Sequence, residues 1–171
     1  GKDFFLYPYL GLPQYKIRCM EPEYLAVDIM KAMYFEEVWP KLKQKTLLDR
    51  MIEGGKLLYF LDAVLPETHD TIKLCYPEKK LKWAEENEKQ VWAFMVQNEL
   101  LYTTDFKTQS NLIQDGPFTT GLSDESPARL GVFIGWKIIR SYMSKYPETS
   151  LKELINLNDT QLILQNSGYK P

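Results

Sequence analysis

The chain has 171 residues, 44% of them hydrophobic and 26% charged. That is the size of one ordinary domain, apolar enough to exclude disorder and long enough to bury a sizeable core. The formal net charge is −2, and the nearest approach to a basic block is Lys41, Lys43 and Lys45. A phosphate footprint for nucleic acid is therefore not expected.

A single histidine, His69, removes any site that needs two or three imidazoles from one chain. It sits in a polar connector, where an exposed histidine is the ordinary reading. The two cysteines, Cys19 and Cys75, form no CxxC and no disulfide framework. Whether they pair stays open. The most apolar stretch, residues 130–136, stops at Lys137 and is far too short to span a bilayer. Before Gly1 there is no charged and apolar leader in the sequence, so the expectation is either a mature protein without one or a processed fragment.

The first 21 residues are rich in Tyr, Phe and Pro without helical spacing, and read as an extended segment packed on the domain. Pro22 is suited to the first position of a helix. Leu25, Ile29, Ala32, Met33 and Phe35 carry an apolar pattern onward until Pro40 stops it. A second helix is predicted over residues 45–64, capped by Thr46, with Leu47, Leu48, Met51, Leu58 and Tyr59 as its stripe. Gly54 and Gly55 in its middle each cost roughly 1 kcal/mol relative to Ala, which points to a close backbone approach or a kink. Residues 67–76 read as a connector with one helical turn.

The longest helix is predicted from Pro77 to about residue 101. Lys79, Lys82, Glu86, Gln90 and Gln97 fall on a solvated stripe, and Leu81, Ala84, Val91, Trp92 and Met95 on an inward one. Glu88 lies within the inward stripe and Glu85 on its flank. A polar loop over residues 114–125 leads to Ser126 and Pro127, a cap and first-position pair. The helix that follows is apolar nearly all round in its first half and so central. Its Gly131 and Gly135 present a smooth face. Two short helices close the chain, near residues 150–157 and 159–165. No strand or repeat is evident, so the fold class is mostly α: a single helical domain, residues 1–171, of about five to seven helices.

Glu85 and Glu88 are suited to general acid/base work or to a hard cation. The competing reading is a buried ion pair with Arg129, Arg140 or Lys56, because an inward carboxylate is costly unless paired. An anion at the helix after Ser126 is disfavoured by Asp124 and Glu125.

Several stretches, taken in order, resemble the gliding motility lipoprotein GldB family of bacterial cell envelopes. They are residues 46–52, residues 55–60 with Leu65 and Pro66, residues 83–88 with Val91 and Trp92, residues 116–119, residues 126–131 and residues 135–143. The ending Tyr169, Lys170, Pro171 fits as well. The resemblance implies an exported lipoprotein on the periplasmic side of a membrane, anchored by an upstream cysteine that is not Cys19. It also implies envelope proteins as partners.

The family is in turn distantly similar to gluzincin metallopeptidases, which carry HExxH on one helix and a further Glu on a later one. By that comparison Ile52 and Lys56 stand in place of the histidines, beside Glu53, and Glu88 or Glu85 remains as the third ligand. Ile has no donor atom and Lys is protonated at neutral pH. The resemblance therefore implies a relict site of Glu53, Lys56, Glu85, Glu88 and Arg129, in which Lys56 neutralises the inward glutamate, with no metal and no cofactor. The leading expectation is a non-enzymatic scaffold for gliding or surface secretion. Its rivals are a metal-dependent hydrolase of peptide or cell-wall material, and a peptide- or glycan-binding module using aromatic side chains near residues 114–125.

Overall fold

Two helices that touch backbone to backbone organise the molecule. The computed structural model describes residues 6–38 and 45–171. Helix α3, Leu47–Val64, begins at Thr46 with a reciprocal cap. The Asp49 amide donates to the Thr46 hydroxyl at 3.2 Å, and the Thr46 amide donates to the Asp49 carboxylate at 2.9 Å. Helix α8, Leu130–Lys145, crosses it, and the glycines make the crossing possible. A methyl group on Gly55 would overlap the Gly135 carbonyl group, and one on Gly135 would overlap the Met51 carbonyl. The paired glycines, costly to each helix alone, are thus repaid by a dry, close-packed seam. Leu48, Met51, Ile52, Phe133, Ile134, Trp136 and Ile138 are fully buried along it.

The remaining helices pack around this pair. They are α1 (Gln14–Ile17), α2 (Leu25–Val38), α4 (Asp70–Leu74), α5 (Glu78–Glu86), α6 (Glu88–Gln97), α7 (Phe106–Ile113), α9 (Leu151–Asn156) and α10 (Thr160–Ser167). No strand occurs among the described residues. The mostly α class is as the sequence predicts, and the buried apolar residues form one cluster from Val27 to Ile163. The helices outnumber the expected five to seven because several are single turns and one predicted helix is broken. The break is at Asn87, whose backbone leaves helical geometry (φ −108°, ψ 9°) while its side-chain amide donates to the Trp83 carbonyl at 2.8 Å. Side chains within such hydrogen-bonding reach of the backbone compete with the helical ladder. The predicted solvated and inward stripes nevertheless both hold.

Other expectations need correction. The described part of the first 21 residues is not extended: it forms a 3-10 turn, Tyr7–Leu10, and then α1. Pro22 does open a helical segment, the 3-10 turn Pro22–Tyr24 that runs into α2. The apolar stripe read for α2, however, faces solvent: Leu25, Ile29 and Met33 are 61%, 48% and 54% exposed. The buried side is made by Val27 and Tyr34, seven residues apart on a different face of the helix. Helix α8 starts at Leu130 rather than at Pro127, because Arg129 is left-handed (φ 58°). The Leu130 amide donates instead to the hydroxyl of Thr119, reaching across the loop at 3.4 Å. Pro40 and Lys41, Lys43 and their neighbours up to residue 44 lie outside the described residues. Ser150 and Asp159 cap α9 and α10 as the two closing helices require.

Cys19 and Cys75 form a disulfide, which fastens the N-terminal segment to the end of α4. Arg140 ties three helices together, α3, α4 and α8. Its guanidinium donates to Asp62 at 2.8 and 3.0 Å and to Asp70 at 2.9 and 3.1 Å. It also lies 3.5 Å from the centre of the Trp136 ring, and Lys73 donates to the same Asp62 at 2.8 Å.

Candidate functional site

The five residues singled out by sequence fall into four separate environments. Glu53 and Lys56, one turn apart on α3, form a buried pair 2.9 Å long, with side chains 4% and 0% exposed. The Lys56 ammonium also donates to the carbonyls of Leu157 at 2.5 Å and Ile155 at 3.4 Å. All three of its donors are therefore directed inward, onto Glu53 and the end of α9. Burial pushes the Glu53 carboxyl upward, while Lys56 pulls it down and Asp49 adds to the rise. Its second oxygen has no hydrogen-bond partner among the described residues, so its charge depends on Lys56. The Tyr34 phenol is likewise buried, and burial together with the Glu53 charge raises it.

Glu88, the inward carboxylate of α6, is paired elsewhere. The Tyr169 hydroxyl donates to it at 2.8 Å, and Lys137 of α8 lies 3.5 Å away. Neither Arg129, Arg140 nor Lys56 is its partner, contrary to expectation. Tyr169 also meets Trp92 edge to face, with ring centres 5.2 Å apart, so the end of the chain is docked on α6. Burial, and then the bond to Glu88, raise the Tyr169 phenol. Glu85 is exposed and lines a shallow pocket with Glu67, His69, Asp70 and Glu78. His69 is exposed there, as read from sequence, and accepts the Thr71 amide at the start of α4.

Arg129 belongs to a different place again. Its guanidinium donates to the Leu74 carbonyl and pairs with Asp115 at 3.0 Å. It lines a cleft of about 390 Å³ between the N-terminal segment, α2, the start of α5 and the loop before α8. Arg18, Lys31 and Lys80 line the same cleft. Cys75 and Arg129, two of the three non-glycine residues with positive φ among the described residues, are on its wall. No sequence signal marks these cations, because they lie on four distant segments that only the disulfide and the fold bring together. Of the tryptophans among the described residues, Trp136 is fully buried and Trp83 and Trp92 pack against the core, so none of these is free for the aromatic surface that the third reading places near residues 114–125.

A zinc site of the gluzincin kind does not fit these residues. Ile52 offers no donor, and the Lys56 nitrogen is committed to one carboxylate and two carbonyls. Among the described residues, no three His, Cys, Asp or Glu side chains converge to hold a metal.

Comparison with known proteins gives one match, and it spans the molecule. The model of the family described as gliding motility protein GldB matches residues 1–171. The chain belongs to the GldB family. That makes it a member of a lipoprotein family associated with gliding motility. No curated protein and no solved structure is similar enough to be matched. Within the described residues of this GldB-family chain, no helix is long and apolar enough to cross a membrane.

Proposed function

We propose that this chain is a non-enzymatic scaffold of the bacterial cell envelope, held at a membrane by a lipid anchor and serving gliding or surface-secretion machinery through other envelope proteins. The observation that carries the reading is the Glu53–Lys56 pair. Peptide hydrolysis at these positions would need a donor at residue 52, an unprotonated donor at residue 56 and solvent access to Glu53. The residues present are an apolar isoleucine, an ammonium with all its donors used, and a carboxylate 4% exposed. A pair of this kind, removed from water and satisfied by backbone carbonyls, holds helices together. In this account the motif position of an ancestral HExxH has become part of the core, where Lys56 joins α3 to the end of α9.

The test is complementation in gliding cells depleted of the chain, using the paired replacement Glu53→Leu with Lys56→Met. The scaffold reading expects the folded double variant to restore gliding. A double variant that folds and is delivered to the envelope but leaves cells non-gliding, as metal-site variants of a hydrolase do, would overturn it.

A further inference from the structure

The cleft that contains Arg129 carries more positive charge than the protein neutralises. Asp115 pairs with Arg129, which leaves Asp28 as the only other carboxylate on the lining among the described residues, against Lys16, Arg18, Lys31 and Lys80. Arg18 spends one donor on the Cys75 carbonyl at 2.9 Å, and its Nε is buried without a partner among the described residues. Lys80 donates to the carbonyls of Asp124 and Ser126 at 2.8 and 2.7 Å. Carbonyls satisfy these hydrogen bonds but cancel no charge, and burial of Lys80 outweighs the pull of the exposed Glu125 and Asp124, so its ammonium stays below its ordinary value. Lys31, in the middle of α2, has no hydrogen bond or ion pair among the described residues. Burial, then Arg129, lowers its ammonium to about 8, against the opposing pull of Asp28 and Asp115. Like charges are thus gathered and partly dried without their counter-charge, an arrangement that costs folding free energy unless something anionic occupies it.

We infer that this cleft, framed by Arg18, Lys31, Lys80 and Arg129, is a binding site for a phosphate group. Two guanidinium forks and two ammonium groups approach from different elements, which suits a tetrahedral anion with several acceptor oxygens better than a planar carboxylate. The volume of about 390 Å³ exceeds what a bare phosphate fills and accommodates an organic substituent against Tyr15, Tyr76 and Pro77. The ligand class is therefore a phosphate ester, either a small soluble one or the headgroup of an anionic phospholipid. The disulfide keeps the wall that carries Arg18 in place, because Cys19 is the next residue and Cys75 supplies the carbonyl that Arg18 grips.

The test is calorimetric titration of the intact chain with inorganic phosphate, and flotation with vesicles of phosphatidylglycerol and of phosphatidylcholine. Lys31→Met is the principal variant and Arg18→Gln the second, used alone if the first does not fold by circular dichroism. Lys152→Met, exposed on α9, is the control. Saturable phosphate binding, weakened about tenfold or more in the cleft variants and unchanged in the control, supports the site and a soluble source. Binding to phosphatidylglycerol vesicles alone, with the same sensitivity, supports it with the headgroup as source. Absence of binding to both, equal binding to phosphatidylcholine, or binding indifferent to the cleft variants overturns it.

Discussion

Two charged regions of this molecule treat their charge in opposite ways. At the α3–α8–α9 junction, one carboxylate and one ammonium are sealed from water and matched to each other, with two carbonyls completing the coordination of Lys56. In the cleft beside the disulfide, five cations share the lining with two carboxylates and stay at least partly exposed to solvent. The first arrangement is what stability demands of buried charge, and the second is what ligand binding tolerates. A matched pair on α3 is thus sealed into the core, while a different face of the molecule gathers charge that is left unmatched.

The contrast can be broken from either side. The largest effect should come from Gly135→Ala. A β-carbon there collides with the Met51 backbone, so the gain in helix propensity of about 1 kcal/mol is overwhelmed. The expected cost is about 5 kcal/mol or more, a failure to fold or a drop in Tm of over about 10 °C by calorimetry. Removing the disulfide with Cys19→Ser and Cys75→Ser should cost about 3 kcal/mol. Hydrogen exchange should then show loss of protection in α1 and around Arg18, with the α3–α8 amides still slow. Equal loosening of both regions would erase the distinction drawn here.

Acid should act next on two other carboxylates of α3, Asp62 and Asp49. Burial works to raise the Asp62 carboxyl, but hydrogen bonds from Arg140, Lys73 and Trp136 outweigh it and hold the group below its ordinary value. Asp49 is held low by Thr46, Thr160 and Lys45 in the same way, against its own burial. Each depressed carboxylate contributes stability that is fully present above its unfolded pKa, near 4, and is lost as pH falls through the lower folded value. Urea titrations should therefore find stability falling progressively below about pH 4, with Asp62→Asn flattening that fall. The smallest effect expected is that of Tyr169→Phe, about 1 kcal/mol, because Glu88 keeps Lys137 at 3.5 Å and the ring keeps its contact with Trp92.

Local rules made much of the fold legible. Thr46 caps α3 as its place before the apolar stripe indicates, and the glycines of α3 and α8 mark a close approach of two backbones. Where tertiary contacts overrode local pattern, the reading failed. Leu25, Ile29 and Met33 have ideal helical spacing yet face outward, since Tyr34 and Val27 claim the core. Thr119, eleven residues upstream, caps α8 in place of Ser126. The candidate site shared this limit. Spacing turned Glu88 inward, but Tyr169, which Glu88 meets, and the α9-end carbonyls that Lys56 meets lie 81 to 101 residues away from them. The cationic cleft had no local signature at all.

A double-mutant cycle on Glu53 and Lys56, read by urea unfolding at pH 7, tests the central claim most directly. Lys56→Met alone should cost about 3 to 5 kcal/mol, because it strands a buried carboxylate. Adding Glu53→Leu should recover about 2 kcal/mol of that loss by leaving an apolar pair of similar volume. Additive losses, with the double variant less stable than either single one, would contradict the account of this pair as a matched structural element.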